Sequence, residues 1–286
     1  MSYIITGATG NIGRRVVGRL LEAGIRPRVL TRDAEKARKS YGEHVDIRVG
    51  DLSDPASLRP AFTGGSTLFL VNAGPDLAAR DAAAVQVARA VGVTRVMKLS
   101  SLDVEQEVGT GVWHARGELA LRESGLSFTF LRPSGFMSNA LGWAPSIRGA
   151  GLVRTSTGEG RIALIHPDDI AEVATHALLR WDYEGQALRI TGPEALSYAE
   201  MTARISAVIG EPLVFQSMSD QEARALFVAR REEPEMVAAL LSIWSAIRGG
   251  RLDTVTETVR HVLGRGPRSF EAWARENAAS FRDGSG

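Results

Sequence analysis

The sequence predicts an α/β protein with a doubly wound parallel sheet and a small, mostly helical C-terminal substrate lid. Three observations support this fold class. Short apolar runs alternate with helical patterns through the first half of the chain, a glycine-rich turn joins the first strand to the first helix, and the pattern is helical from residue 197 onward. The 286 residues are 44% hydrophobic and 23% charged, which suits a large domain with a smaller one attached.

Six short apolar runs in the first half are typical of strands that are buried on both faces. A helical pattern follows each of the first five, which is the order that βαβ units require. Gly24 ends the first helix, and Pro55 lies in the first turn of the third. The predicted strands are Tyr3–Thr6, Arg28–Thr31, Asp46–Val49, Thr67–Asn72, Arg95–Ser100 and Ser127–Leu131. The predicted helices are Ile12–Ala23, Ala34–Tyr41, Asp54–Phe62, Leu77–Val91 and His114–Ser124.

The regular alternation stops after Pro133, where a proline and several glycines predict surface loops. Two further strands and a helix are predicted at Ala163–Ile165, Ala187–Ile190 and Pro167–Leu179, and helices near 197–209, 219–230, 233–247 and 269–281. We therefore expect a nucleotide-binding domain from 1–135 plus 161–192, a lid from 136–160 plus 193–282, and a tail at 283–286.

Composition excludes several classes of function. Thirty-four basic and 33 acidic residues leave a net charge of +1, so no basic surface for nucleic acid is expected. There is no cysteine, which excludes disulfides, zinc–thiolate sites and thiol nucleophiles. The five histidines are scattered, so no metal site is expected. No apolar run has the length of a membrane span and no signal peptide is visible, so we expect no membrane partner and a cytoplasmic location.

The turn after the first strand has glycines spaced G-x-x-G-x-x-G. Gly7 allows the tight turn, Gly10 lets the backbone approach a pyrophosphate, and Gly13 lets the helix pack on the strand. The first helix would present free amides and a partial positive charge to the phosphates. The pattern predicts a Rossmann-type nucleotide site formed by Gly7, Thr9, Gly10, Asn11, Ile12 and Gly13.

The end of the second strand distinguishes the two nicotinamide cofactors. NAD-binding folds tend to place an acid there, whereas an arginine accommodates a 2′-phosphate. Arg32 occupies this position and Lys36 lies one turn later, so NADP(H) is favoured over NAD(H), although Asp33 could face the ribose instead. Further cofactor contacts are predicted at the adenine from Asp51 and Leu52, and at the nicotinamide ribose from Asn72, Ala73 and Gly74.

Four stretches of the chain resemble the NmrA-like group of atypical short-chain dehydrogenases, closest to NADPH-dependent quinone and triphenylmethane reductases. They are Thr6–Gly13, Thr31-Arg32, His114–Asn139 and Ile165–Ala171, of which the third carries the specific pattern H-x-x-x-E followed by S-G-L-x-x-T-x-L-R-P. The resemblance implies NAD(P)H binding and, commonly, hydride transfer to a quinone, an enone or a dye. The group also includes members that bind the nucleotide and catalyse nothing.

The proton donor of typical short-chain dehydrogenases is missing. Those enzymes place a Tyr-x-x-x-Lys about thirteen residues after a serine on strand five. Here His114 stands thirteen residues beyond Ser101, Glu118 occupies the lysine position, and no tyrosine lies between residues 41 and 183. His114 and Ser101 are the candidate catalytic residues, because an imidazole with an unperturbed pKa near 6.5 could act as an acid. Glu118 is expected to tie its helix down.

Three functional hypotheses remain open at this point. The first is hydride transfer to a quinone, enone or other conjugated carbonyl, the second a redox sensor that binds NADP without catalysis, and the third non-redox chemistry on the same fold. Backbone atoms of Ser100 and the adjoining Pro133 are expected beside the nicotinamide. The predicted substrate pocket comprises Phe136, Met137, Asn139 and Trp143, while Phe227 and Trp244 suit a core better.

Two smaller expectations complete the sequence interpretation. Asp168 or Asp169 should cap the helix that begins at Pro167. The expected partner is a small-molecule substrate, and the sequence does not distinguish a monomer from a dimer.

Overall fold

The computed structural model describes residues 2–282; the predicted tail at 283–286 lies outside the described residues. The strands are β1 Tyr3–Ile5, β2 Arg28–Thr31, β3 Asp46–Val49, β4 Thr67–Leu70, β5 Arg95–Leu99, β6 Ser127–Pro133, β7 Leu152–Thr155, β8 Arg161–Ile162, β9 Ala187–Ile190, β10 Leu196–Ser197 and β11 Val214–Ser217. The helices are α1 Asn11–Glu22, α2 Ala34–Tyr41, α3 Pro55–Phe62, α4 Leu77–Ala90, α5 Gly111–Glu123, α6 Ala144–Ala150, α7 Pro167–Leu179, α8 Tyr198–Ile209, α9 Asp220–Ala229, α10 Pro234–Arg248, α11 Thr258–Leu263 and α12 Phe270–Glu276.

The main sheet has seven strands in the order β3-β2-β1-β4-β5-β6-β9. Neighbouring strands from β3 to β6 pair in parallel. The first six follow the order 3-2-1-4-5-6 of doubly wound dinucleotide-binding folds, in which the strand order reverses between β1 and β4. The predicted Rossmann-type fold class is confirmed.

Grouped by their contacts, the residues form two compact units. Unit 1 comprises residues 1–104, 111–132 and 170–189, and unit 2 comprises 105–110, 133–169 and 190–286. The predicted lid maps largely to unit 2, but residues 161–169, which we expected in the nucleotide domain, group with unit 2.

The core of unit 1 lies where the helices cover the sheet. Strand β1 is buried at all three positions, and β4 and β5 are buried along their full length. Helix α1 buries Ile12, Val16, Val17 and Leu20, a spacing that places them on one helical face. The apolar runs of β1, β4 and β5 therefore form buried central strands, whereas β3 at the edge of the sheet is half-buried at Asp46 and Ile47 and exposed at Arg48 and Val49.

Helix α5 begins at Gly111, three residues before the predicted start at His114. Its first turn approaches the backbone after β5, since a Cβ atom at Gly111 would lie 2.3 Å from the carbonyl carbon of Asp103. The glycine, which weakens a helical pattern in the sequence, is needed for this close contact.

Unit 2 contains two small sheets as well as helices. Strand β7 pairs in parallel with β11, and β8 pairs antiparallel with β10. The prediction that the chain is helical throughout from residue 197 was therefore wrong, because β11 interrupts it between α8 and α9. The strand predicted at Ala163–Ile165 was also wrong: only an isolated bridge links Ile165 to Phe136. Helices α6 and α11 were not predicted.

No helix within residues 2–282 combines the length and the apolar character that a membrane span requires.

Candidate active site

The glycine loop between β1 and α1 is shaped by its own backbone. Gly7 has φ +57°, and its carbonyl accepts a hydrogen bond from the amide of Gly10 at 2.9 Å. A Cβ atom at Gly13 would lie 2.2 Å from that same carbonyl oxygen. The Thr6 hydroxyl donates to the carbonyl of Val71 at 2.8 Å and accepts from its amide at 2.7 Å, which fixes the loop beside the end of β4.

Helix α1 begins immediately after this loop and presents an uncapped N-terminus. No side chain caps Gly10, and the first turn carries no acidic residue. Gly10 is exposed, so the approach to the loop is open. An uncapped helix N-terminus binds anions through its amides and its dipole, and the residues present therefore fit a pyrophosphate.

Two exposed cations follow β2, at the positions predicted to bind the 2′-phosphate. The Arg32 side chain is 81% exposed and approaches the Asp51 carboxylate no closer than 4.0 Å. Lys36 is also exposed. The Asp33 carboxylate accepts the Lys36 amide at 2.9 Å as the N-cap of α2, so the acid is turned to its own helix and away from the role of ribose ligand.

Asp51, predicted at the adenine, is held by its own turn. The Ser53 amide donates to the Asp51 carboxylate at 2.8 Å, and this hydrogen bond is the main reason that the pKa of Asp51 is lowered. Leu52 is half-buried against the core of unit 1.

The side chain of Asn72, which follows β4, forms hydrogen bonds with α4. Asn72 donates from its amide nitrogen to the carbonyl of Leu77 at 3.2 Å and to Asp81 Oδ1 at 3.1 Å, while its oxygen accepts the Ala73 amide. Gly74 follows with φ +98°. The Asn72 side chain is therefore committed to α4, whereas Ala73 and Gly74 form the turn that was predicted beside the nicotinamide ribose.

Glu118 lies at the centre of a buried hydrogen-bond network. It is 3% exposed and accepts from the Ser100 hydroxyl at 2.7 Å and from Arg132 at 2.9 and 2.5 Å. The expectation that Glu118 ties its helix down agrees with these contacts. The backbone amide of Ser100, which we expected near the nicotinamide, donates to the carbonyl of Leu131 at 2.7 Å and is therefore occupied within unit 1.

Two residues after Ser101 stands an acid that the sequence did not single out. The Ser101 hydroxyl oxygen accepts the Asp103 amide at 3.2 Å. Burial raises the pKa of Asp103 to about 6, with a hydrogen bond from Ser101 opposing the shift. Nothing in the sequence marks this residue, because its burial depends on tertiary packing.

His114 belongs to a second buried network, on α5. Its Nδ1 lies 3.2 Å from Nζ of Lys98, which in turn contacts Asp81 Oδ2 at 2.5 Å. Burial, and then the charge of Lys98, hold the pKa of His114 well below 6.5. The unperturbed pKa suggested that His114 could act as an imidazolium acid near neutral pH. With its lowered pKa, His114 is instead neutral in that range.

Lys98 and Asp81 were missed by reasoning from the sequence. The signal that could have found Lys98 is its position among the apolar residues of strand Arg95–Leu99. Both faces of this strand are buried, so the side chain of a lysine there cannot point to solvent.

The predicted substrate residues in unit 2 divide into two groups. Met137 is 1% exposed within the core of unit 2, where it packs against apolar neighbours. Trp143 is tilted against Tyr198 at 5.3 Å between ring centroids and also packs on that core. Phe136 is half-buried and Asn139 is exposed, and these two remain candidates.

Pro133, Phe227 and Trp244 also lie in unit 2. Pro133 is buried at the end of β6. The rings of Phe227 and Trp244 pack at 4.8 Å between centroids with a tilt of 51° in a small apolar cluster, as expected for core residues.

The side chain that caps α7 belongs to neither Asp168 nor Asp169, the two residues predicted for this role. Asp169 is fully buried and accepts from Arg265 at 2.8 Å and from the Arg268 amide at 2.6 Å, so it fastens the C-terminal segment. The Asp168 amide donates to Nδ1 of His166 at 3.0 Å, and the histidine therefore provides the side-chain cap.

His166, Asp168 and Glu276 bring three potential metal ligands within 4.8 Å of one another. Nδ1 of His166 already accepts the Asp168 amide, and Nε2 lies 3.0 Å from the Glu276 carboxylate. Since both ring nitrogens have partners, we assign no metal to this cluster.

The order of the sheet, the glycine loop and the uncapped helix define a dinucleotide-binding α/β protein. Residues 7–180 match the family described as NAD(P)H-binding, which is more than half of the chain. The chain belongs to the NAD(P)H-binding family.

Similar proteins cover the chain along nearly its whole length. It is 38% identical over 281 residues to (4-alkanoyl-5-oxo-2,5-dihydrofuran-3-yl)methyl phosphate reductase of Streptomyces griseus, covering 97% of this chain and 98% of the relative. It is 33% identical to NAD(P)H azoreductase of Xenophilus azovorans, with the same coverage. An NADPH-dependent quinone oxidoreductase from Escherichia coli, solved with NADPH, has the same fold with TM-score 0.87 at 23% identity, covering 96% of this chain and 99% of that one. The predicted resemblance to NAD(P)H-dependent reductases is confirmed.

Proposed function

We propose that this protein is an NADPH-dependent reductase of small conjugated carbonyl compounds, such as enones and quinones. The observation that carries the proposal is the buried histidine at the position of the missing tyrosine: its low pKa leaves no imidazolium near neutrality. An acceptor that delocalises negative charge needs little help from an acid, so this site suits conjugated substrates better than simple ketones.

The relatives support the same substrate class. The reductase from Streptomyces griseus is named for an alkanoyl dihydrofuranone, in which a carbon–carbon double bond is conjugated with carbonyl groups. The azoreductase acts on another extended acceptor by its name. These proteins align along the whole of this chain, including unit 2, where the substrate residues are expected.

The cofactor would be held by residues of unit 1. The uncapped amides of α1 would bind the pyrophosphate, and Arg32 with Lys36 would bind the 2′-phosphate. When bound, NADPH supplies a hydride. Asp33 is engaged as a helix cap and does not compete for the ribose, which favours NADPH over NADH.

His114 would then contribute a hydrogen bond rather than a proton from a cation. A neutral imidazole can donate one N–H to an oxygen on which negative charge develops. Phe136 and Asn139 would contact the substrate, the first through apolar surface and the second through its amide.

The test is NADPH oxidation with matched pairs of acceptors, such as an enone and the saturated ketone of the same carbon skeleton. We expect the enone and a quinone to be reduced and the ketone to be at least 100-fold poorer in kcat/KM. Equal rates for enone and ketone would contradict the proposal, since the ketone product needs a proton donor. Tight binding of NADPH without oxidation by any acceptor would replace it with the sensor hypothesis.

A further inference from the structure

Lys98 and Asp81 form an ion pair that is completely buried in unit 1. Both side chains are 0% exposed, and Nζ lies 2.5 Å from Oδ2. The chain contains only three lysines, and the other two, Lys36 and Lys39, are exposed on α2. Taking two charges out of water is costly, and apolar residues of similar volume often stabilise a fold at least as much as a buried ion pair does. The pair therefore calls for a reason other than stability.

The third member of this network supplies that reason. Lys98 Nζ lies 3.2 Å from Nδ1 of His114, and an ammonium group can only donate. Nδ1 must therefore accept, which places the ring proton on Nε2. Within the described residues Nε2 of His114 has no hydrogen-bond partner. If it were completely buried, it would be a buried polar atom without a partner, and it is not one of these. Nε2 is therefore accessible to solvent, although the ring as a whole is only 9% exposed.

We propose that Lys98 and Asp81 are positioning residues, which hold His114 as a neutral imidazole with its Nε2–H available to the substrate. Asp81 fixes Lys98, and Lys98 fixes the tautomer and the charge of His114. The second half of this proposal, the use of the Nε2–H by the substrate, rests on the proposed function. A neutral histidine that serves as an electrophile in this way is an established device in other enzymes.

The packing around the network agrees with this function. Helices α4 and α5 approach closely at Gly117, where a Cβ atom would lie 2.4 Å from Asp81 Oδ2, so the glycine makes room for the carboxylate. Asn72 occupies Oδ1 of the same carboxylate at 3.1 Å. Both oxygens of Asp81 are thereby engaged, and the carboxylate cannot leave Lys98 to reach the imidazole.

The charged group in contact with His114 favours the neutral ring. Lys98 faces it from β5, and the carboxylate of Asp81 on α4 is screened behind Lys98. Helix α5, which carries His114, also carries the acid Glu118, but the Glu118 carboxylate already binds Ser100 and Arg132. Among residues 2–282, no carboxylate forms a hydrogen bond or an ion pair with the His114 ring that would stabilise an imidazolium.

The first test is nitrogen-15 NMR of the ring nitrogens in the full-length protein without substrate, with His114→Gln to assign the signals. We expect the Nε2–H tautomer and no titration of His114 between pH 5.5 and 8. An Nδ1–H tautomer, or an imidazolium that forms above pH 6, would overturn the proposal. This measurement requires no activity, so its failure is distinct from a failure of the proposed function.

The second test removes the pair while preserving its charge balance. In the variant Lys98→Met with Asp81→Asn, loss of the ammonium should raise the pKa of His114, although burial still holds it below its ordinary value, and kcat should fall by up to about 100-fold with little change in KM. The low-pH limb of the kcat profile should move upward with that pKa. Met97→Leu, a change of shape at the neighbouring buried position on β5, is the control and should leave the profile unchanged.

Two results, one from the double variant and one from the His114→Gln variant, would contradict the proposal. The first is a double variant that folds and keeps the wild-type tautomer and pH profile. The second is a His114→Gln variant that reduces every acceptor at the wild-type rate, which would overturn the catalytic half while the tautomer measurement stands by itself.

Discussion

Replacing Gly13 by alanine tests how the glycine loop is built. The added Cβ atom would lie 2.2 Å from the carbonyl oxygen of Gly7, 2.7 Å from its carbonyl carbon and 2.9 Å from Cα of Ala8. All three are backbone atoms, so no side-chain rotation can relieve the contact. The Gly7 carbonyl must move by close to an ångström, and it is also the acceptor for the Gly10 amide.

The expected loss of stability follows from two opposing effects. Overpacking of this kind costs about 1–3 kcal/mol, and alanine in place of glycine within a helix returns about 0.5–1 kcal/mol. We therefore expect Gly13→Ala to lower the free energy of unfolding by up to about 2.5 kcal/mol. Displacement of the loop should weaken NADPH binding at least tenfold, or about 1.4 kcal/mol.

Gly18→Ala is a matched control, because it makes the same substitution five residues later in α1. Nothing lies within 4 Å of the Cβ atom at this position. We expect this variant to be more stable by about 0.5–1 kcal/mol and to bind NADPH with unchanged affinity. Urea unfolding and NADPH titration measure both quantities. If Gly13→Ala and Gly18→Ala behave alike, the loop is not held by the contact between Gly13 and Gly7.

Three further predictions address separate parts of the molecule. Arg32→Gln should weaken NADPH by about 1.5–3 kcal/mol and leave NADH nearly unchanged in parallel titrations, since only NADPH carries the 2′-phosphate; equal losses would remove Arg32 from the phosphate site. Asp103 has a pKa raised from 3.8 to about 6, so the stability present below pH 4 is lost as pH rises through 6. Asp103→Asn should thus gain up to about 3 kcal/mol relative to wild type between pH 4 and pH 8 in urea unfolding, and a constant difference would contradict that pKa. Asp169→Asn should cost about 1.5–3 kcal/mol by weakening the contacts from Arg265 and Arg268, and an unchanged melting curve would show that these contacts contribute nothing.

The parts of the fold that repeat a local pattern could be predicted from the sequence. Strands Arg28–Thr31 and Asp46–Val49 and helix Ala34–Tyr41 have the predicted bounds, because apolar runs and caps are local signals. Strand Val214–Ser217 was read as part of a helical region. It exists because it pairs with Leu152–Thr155, sixty residues earlier, and its burial is too slight to leave an alternating pattern.

The candidate site divides in the same way. The glycine loop depends on backbone conformation that the glycines themselves encode, so it was visible in the sequence. The partners of His114 come from β5 and α4, which no local pattern connects. Met137 and Phe136 are adjacent and similar in character, yet one is in the core and the other half-buried, which only packing decides.

The substitution of histidine for tyrosine reverses the effect of a neighbouring lysine. A cation lowers the pKa of any group beside it. For a tyrosine, whose acid is the neutral phenol, that shift makes a better proton donor. For His114, whose acid is the imidazolium, the Lys98 ammonium removes the charged donor and leaves a neutral N–H. A lysine beside a tyrosine would assist the reduction of simple ketones. Beside His114, under the proposed function, it favours acceptors that delocalise the negative charge formed on reduction.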